Sequence, residues 1–223
     1  MTIANPTSLT ATLDKTAEAI FYQQPIRIPL REEIATLIAS RQCQSGVNTG
    51  FFIPFTAEIS AQTMLFSGEK LSTAFARKHI CLIESARMLK LLGVENHGSA
   101  QSIQAADDRM AKTCYSNFCS SGECRALTIA CLRYLALNDS EEASHKTNDF
   151  ITRLGTFRDG KGSWGGFTFY YTLLMLTEVG SLQSIRELQY AANRCKKLQS
   201  GKWEADSISK RRQVILANAL ARS

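Results

Sequence analysis

From Ser163 to Thr177 the chain carries no charged side chain, and the ten residues from Phe167 to Leu176, Phe-Thr-Phe-Tyr-Tyr-Thr-Leu-Leu-Met-Leu, show no polar face at any regular period. A helix that is apolar all round has to be enclosed by other helices rather than lie on a surface. The turn in front of it, Lys161-Gly162-Ser163-Trp164-Gly165-Gly166, reads as a glycine-rich loop feeding that buried helix. The run stops at Glu178, short of the roughly 20 residues a membrane span needs, so no transmembrane segment is expected.

Elsewhere the apolar spacing is close to 3.6 residues, and about ten helical segments can be placed from spacing, caps and breakers. Strand signals are nearly absent. Leu9, Leu13, Ala17, Ile20 and Phe21 form one stripe, and Pro29 with Glu32 and Glu33 opens the next helix. A loop over 42–54 and a short helix over 56–66 are expected to follow. The longest helix runs over 71–92, with Phe75, Leu82, Ile83, Ala86 and Leu89 inward. Arg77, Lys78, Glu84, Arg87 and Lys90 point outward on this reading, and His79 sits on the solvated side. Cys124 to Leu137 is apolar on almost every side. Asp139-Ser140-Glu141-Glu142 marks a helix start, and Asp206 or Ser207 caps the last helix.

Two internal echoes accompany this pattern. A shift of 112 places Arg41, Gly50, Phe52, Phe55 and Thr56 on Arg153, Gly162, Trp164, Phe167 and Thr168. Ser67-Gly68-Glu69 recurs as Ser121-Gly122-Glu123, each time expected to open a helix. Helical hairpins that cannot bury their own faces stack on copies of themselves. The fold class is therefore all-α, a single helical domain over 1–223.

Seven cysteines, an odd number, rule out a fully paired disulfide framework. Cys81, Cys131 and Cys195 fall inside apolar helical patterns, as buried thiols do. A reducing cytoplasm is the expected location, and the N-terminus has neither the basic nor the apolar region of a secretion signal. From Arg194 to Ser223 eight basic residues face two acids, which accounts for the whole formal charge of +6. That end is expected to be a solvated face that could meet an anionic partner. No nucleic-acid partner is expected, because aromatic residues do not alternate with the charges.

Amphipathic helices alternating with all-apolar ones, together with the Gly-x-Trp loop Gly162-Ser163-Trp164, resemble the α/α toroids of terpenoid cyclases and protein prenyltransferase β subunits. The likeness is carried by residues 153–198 and more weakly by 37–66. It implies antiparallel hairpins in a toroid-like or incomplete toroid array. The Gln that precedes Gly-x-Trp in that superfamily is missing, with Asp159 and Lys161 nearby instead. Its Asp-rich motif and its Asp, Cys and His zinc ligands have no counterpart here, so fold carries over and activity does not.

Three side-chain groups carry the functional expectations. Trp164, Phe167, Tyr170 and Tyr171, with Phe52 and Phe55, are candidates to line an apolar cavity for a lipid-like ligand or a partner's helix, weighed against plain core. Cys114, Cys119 and Cys124 lie five apart across a helix-to-helix turn. Their sulfurs could converge on zinc, with His145 or His97 as a fourth ligand. Cys124, at a helix start, is the position that most favours a thiolate. Glu69 and Glu123 are expected to be helix caps. The first functional reading is a helical-repeat binding module. A prenyltransferase- or cyclase-like enzyme and a thiol-metal protein are the alternatives.

Overall fold

The computed structural model describes residues 3–59, 61–94 and 97–223. Among them the chain forms nine α-helices and one two-stranded ribbon, so the all-α expectation is met. It divides into two compact units, Met1–Thr63 with Leu71–Asn117, and Met64–Lys70 with Phe118–Ser223. No helix among the described residues is long and apolar enough to cross a membrane.

The first unit holds α1 (Leu9–Phe21), α2 (Ile28–Ser40), α3 (Ala74–Leu92) and α4 (His97–Met110). α1 packs on α2 and α3, α2 on α3 and α4, and α3 on α4. Leu9, Ile34, Ile38, Leu82, Ile83 and Met88 are fully buried in the resulting core. α1 starts at a Ser8 cap whose hydroxyl accepts from Ala11 N. A second anchor comes from far along the chain: the Glu58 carboxylate accepts from Leu9 N at 2.9 Å, Thr10 N at 2.8 Å and the Ser8 hydroxyl at 2.7 Å. An acid at a helix N-terminus satisfies N–H groups that have no partner within the helix and opposes the positive end of its dipole.

The second unit holds α5 (Cys124–Leu135), α6 (Glu141–Gly155), α7 (Phe169–Val179), α8 (Leu182–Gln199) and α9 (Ser207–Ala221). α5 packs on α6 and α7, α6 on α8, α7 on α8 and α9, and α8 on α9. α7 is the apolar helix of the sequence, and every residue from Tyr171 to Thr177 is buried. Its N-cap Thr168 makes no capping bond. Instead the Glu69 carboxylate accepts from Tyr170 N at 3.1 Å and Tyr171 N at 3.3 Å. At the other end, Gly180 adopts the left-handed conformation (φ 63°), and the Arg222 guanidinium donates to Thr177 O.

The two units repeat one plan. The pairings α1–α2, α1–α3, α2–α4 and α3–α4 recur as α5–α6, α5–α7, α6–α8 and α7–α8. In each, the loop after the second helix folds back through one antiparallel bridge, Gln42 with Phe52 and Arg158 with Trp164. The flanking bonds also match: Cys43 N to Phe51 O (2.8 Å) and Ile53 N to Arg41 O (2.9 Å) become Asp159 N to Ser163 O (2.9 Å) and Gly165 N to Phe157 O (2.7 Å). The 112 shift therefore holds for the returning strand, Phe52 to Trp164. The outgoing strand shifts by 116, because the second loop is four residues shorter. Arg41 corresponds to Phe157, and not to Arg153 as the ungapped shift has it.

A glycine closes each loop against the fourth helix of its unit. Gly50 (φ 85°) would carry a Cβ 2.6 Å from Ala105 O of α4, and Gly162 (φ 81°) one 2.9 Å from Arg194 Cβ of α8. In the second copy a buried carboxylate completes the closure. Glu187 of α8 accepts from Trp164 Nε1 at 2.8 Å and pairs with Arg158 through Nε at 3.1 Å and Nη2 at 2.9 Å.

Several local expectations fail for identifiable reasons. The described residues of 56–66 do not form the expected helix. Thr56–Glu58 is one 3-10 turn, and β1 (Thr63–Met64) then pairs with β2 (Lys70–Leu71) around Gly68. The helical spacing of Ile59, Met64 and Leu65 was coincidental, since the first two are exposed. Ser67-Gly68-Glu69 therefore does not open α3, which is capped by Thr73. On α3 itself the expected faces are partly exchanged: His79 and Arg87 are buried, while Phe75 is 45% exposed. Three other helices pack on α3, so it buries polar side chains along with apolar ones.

Replacing Glu187 by Ala would leave the indole N–H of a fully buried Trp164 without its acceptor. Breaking such a buried, charge-assisted set is expected to lower the unfolding free energy by about 3 kcal/mol in urea titrations, against under about 0.5 kcal/mol for Lys197→Ala on the exposed side of α8. Equal losses would show that the loop closure does not depend on this carboxylate.

Candidate functional site

The six aromatic residues proposed to line a cavity belong to different units, Phe52 and Phe55 to the first and the other four to the second. Phe52, Trp164, Phe167 and Tyr171 are buried, with Trp164 at 1% and Tyr171 at 0% exposure. Phe55 is half-buried under the Arg41 guanidinium, 4.2 Å from its ring centroid. Tyr170 is half-buried too, with Arg212 at 4.6 Å over its ring and Trp203 edge-on at 6.5 Å. Phe167 packs edge-on against Phe157 at 5.3 Å. Four of the six rings, Phe52, Trp164, Phe167 and Tyr171, fill space in the two cores.

A more accessible aromatic group occurs in the first unit, where sequence patterning placed a solvated face. Phe51, 1% exposed, lies under two cations, Lys78 Nζ at 3.9 Å and Arg109 Cζ at 4.4 Å from its ring centroid. Cations over an aromatic face are attracted by its quadrupole. Asn48 Oδ1 accepts from Lys78 Nζ at 2.7 Å, and Val47 O accepts from Arg109 at 3.3 Å, which ties the 46–51 turn to α3 and α4. His79 meets the edge of Phe51 and shares a hydrogen bond between Nδ1 and Tyr115 Oη at 2.8 Å. Phe75 stacks on the His79 ring at 4.0 Å yet stays 45% exposed, and Val47 is 87% exposed. Two exposed apolar side chains, Phe75 and Val47, are thus joined through His79 and Arg109 to the Phe51 ring that the two cations cover. Sequence periodicity missed this group because Phe75 falls on the stripe assigned to the core.

The three cysteines of the expected zinc corner do come together. The Sγ atoms of Cys114, Cys119 and Cys124 all lie within 4.8 Å of one another. Local backbone arranges them: a 3-10 turn over Cys114–Asn117, a left-handed Phe118 (φ 61°), and the first turn of α5 at Cys124. Thr128 of α5 grips Cys119 on both sides, its hydroxyl accepting from Cys119 N at 3.1 Å and donating to Cys119 O at 2.9 Å. Thr128 is one helical turn beyond Cys124, so this grip brings Cys119 over Cys124. Among the described residues no histidine joins the group. His145 is on the exposed side of α6, and the His97 side chain lies outside the described residues. None of the seven cysteines is in a disulfide. Burial pushes the Cys81 thiol up to about 12 and the Cys195 thiol up to about 11, so these two behave as small core residues.

Of the acids that sequence singled out as helix caps, Glu123 stands at the N-cap position of α5 but its side chain makes no capping bond there, because the residue is already in the helical conformation (φ -72°, ψ -9°). Glu69 is an N-terminal anchor as expected, but of α7 and not of the helix that follows it. Glu178 forms a two-point pair with Arg133, at 2.7 and 2.9 Å. Asp159 accepts from Lys161 N, Ser163 N and Tyr190 Oη, and these bonds hold its carboxyl below the usual range. The basic end is only partly a solvated face. Arg211 sits over the Phe66 ring, Arg212 donates to Ser67 O at 2.8 Å, and Arg194 lies over Phe169, while Lys196, Lys197, Lys202 and Lys210 are exposed. No family model matches the chain, and neither a curated protein nor a solved structure matches it.

Burial and the neighbouring Lys78 and Arg109 push His79 from its ordinary value of 6.5 to about 4. The unfolded chain therefore takes up a proton that the folded one refuses, and stability falls as pH drops from 6.5 toward 4. Between pH 7 and pH 5 the urea unfolding free energy should fall by about 2 kcal/mol more in the wild type than in His79→Gln. Parallel pH profiles for the two proteins would exclude a buried neutral His79.

Proposed function

We propose that the protein is a helical-repeat binding module, built from stacked hairpins of the α/α-toroid kind, that docks an apolar, acidic helix of a partner protein on the first unit. The observation that carries this reading is the exposure of Phe75 and Val47 around the Phe51 ring covered by Lys78 and Arg109. A large exposed aromatic beside fixed cations suits a segment with leucine-like anchors and carboxylates around them. The half-buried stems of Lys78 and Arg109 are already held by Phe51 and Asn48, so little side-chain entropy remains to be lost on docking. A lipid-like ligand is favoured less, because four of the six aromatic residues suited to it are closed within packed cores. Reduced cysteines fit a cytoplasmic setting.

The test uses two synthetic amphipathic helical peptides that share a leucine face and carry either glutamate or lysine elsewhere. The glutamate peptide should bind the wild type at least about tenfold more tightly than the lysine peptide in fluorescence anisotropy, a difference of about 1.4 kcal/mol. Phe75→Ala and Lys78→Glu should each remove that preference. Equal binding of both peptides, or stoichiometric binding of a farnesyl-chain fluorophore with no peptide binding, would overturn the reading.

A further inference from the structure

We propose that Cys114, Cys119 and Cys124 form a soft-metal site that takes Zn2+ through three thiolates and leaves the fourth position to a solvent molecule or an incoming ligand. The argument begins with geometry. Tetrahedral zinc with sulfur at about 2.3 Å requires sulfurs about 3.8 Å apart. The three Sγ atoms already lie within 4.8 Å of one another, about 1 Å from that spacing.

The backbone is held for reasons that packing alone does not supply. Thr128 is fully buried and uses its one hydroxyl on both the N–H and the C=O of Cys119, fixing that residue over the start of α5. Ser116 Oγ donates to Thr113 O at 2.8 Å and closes the turn that carries Cys114. Cys124 occupies the first residue of α5, where its sulfur shares the end at which helix N–H groups gather. Two of the cysteines are half-buried and Cys114 is exposed, so an ion can reach the group from solvent. The contrast with Cys81, Cys131 and Cys195 is one of place: those are single buried thiols in helix interiors.

The chemistry balances simply. Each cysteine that binds gives up its proton to solvent, Zn2+ accepts three sulfur lone pairs, and no electron is transferred. Soft sulfur donors select zinc over magnesium or calcium, and a tetrahedral ion held by three thiolates keeps a fourth position for solvent or an incoming ligand. Thr128 acts here as a positioning residue, holding one ligand through its backbone.

The experiment uses the full chain purified without a histidine tag, reduced, incubated with zinc and freed of excess metal. The wild type and the control Cys43→Ser should retain about one equivalent of zinc by elemental analysis, and Cys119→Ser and Cys124→Ser less than about a tenth. Loading with Co2+ instead should give an intense sulfur-to-cobalt charge-transfer band in the wild type that the two serine variants lack. Thr128→Val should weaken zinc in chelator competition by about tenfold with its helical circular dichroism unchanged. Wild-type protein with native circular dichroism that retains less than about a tenth of an equivalent and shows no charge-transfer band would overturn the site. Zinc retained equally by the serine variants would overturn it as well.

Discussion

Helix α7 has to be held at its ends from outside, and much of the second unit follows from that. With no charge before Glu178, the segment supplies neither a capping carboxylate nor a terminal cation, and its one acid falls in the last turn, where the helix dipole disfavours it. Glu69 meets the first N–H groups from a turn 101 residues earlier, and Arg222, at the end of α9, meets the Thr177 carbonyl in the last turn. Arg133 of α5 neutralises Glu178 through two bonds. A short stretch from early in the chain, 64–70, accordingly belongs with the second unit, as does α9, a helix beyond the repeated four that packs on α7 and α8. An apolar post that buries seven consecutive residues gains on the order of 10 kcal/mol from burial, but only if its terminal polar groups are satisfied.

The two copies solve the closure of the aromatic loop by different chemistry on the same backbone. Both fold back through one bridge, and both place a left-handed glycine against the fourth helix, a position where any side chain would collide. In the first copy the loop reaches to the helix: Gln42 Nε2 donates to Ser102 O of α4 at 2.7 Å. In the second the helix reaches to the loop, with Glu187 accepting from Trp164 and Arg158. A larger ring brings an N–H that needs an acceptor, and Gly155 leaves room for the carboxylate that provides it, since a Cβ there would stand 2.8 Å from Glu187 Oε1. The substitution of Phe52 by Trp164 between copies thus required a second change on α8.

Sequence patterning located what depends on local chemistry and missed what depends on distant partners. The enclosed helix, the duplicated loop, the Asp206 cap and the thiol corner were all legible, because each is written in a run, a spacing or a cap within a few residues. α3 was misread because its environment is three helices: periodicity sorts residues into one inward and one outward face, and an enclosed helix has no outward face along most of its length. His79 and Arg87 therefore looked solvated and are not. The turn at 67–69 resembled a helix start because Ser-Gly-Glu is a capping pattern, and nothing nearby reveals that Glu69 caps a helix 101 residues away. The basic end was ambiguous for a similar reason, since charge count does not distinguish arginines laid over rings from lysines left in water.

Arginine and lysine differ here in their chemistry. Arginine can lie flat on an aromatic face and still donate to carbonyls, so Arg194, Arg211 and Arg212 are absorbed into the second unit, while the lysines around them keep their charge in solvent. The acids divide likewise. Glu58, Glu69, Asp159, Glu178 and Glu187 each hold a helix end, a loop or an arginine in place. Glu32, Glu33, Asp108, Glu141, Glu142 and Asp149, by contrast, stay exposed alongside the lysines.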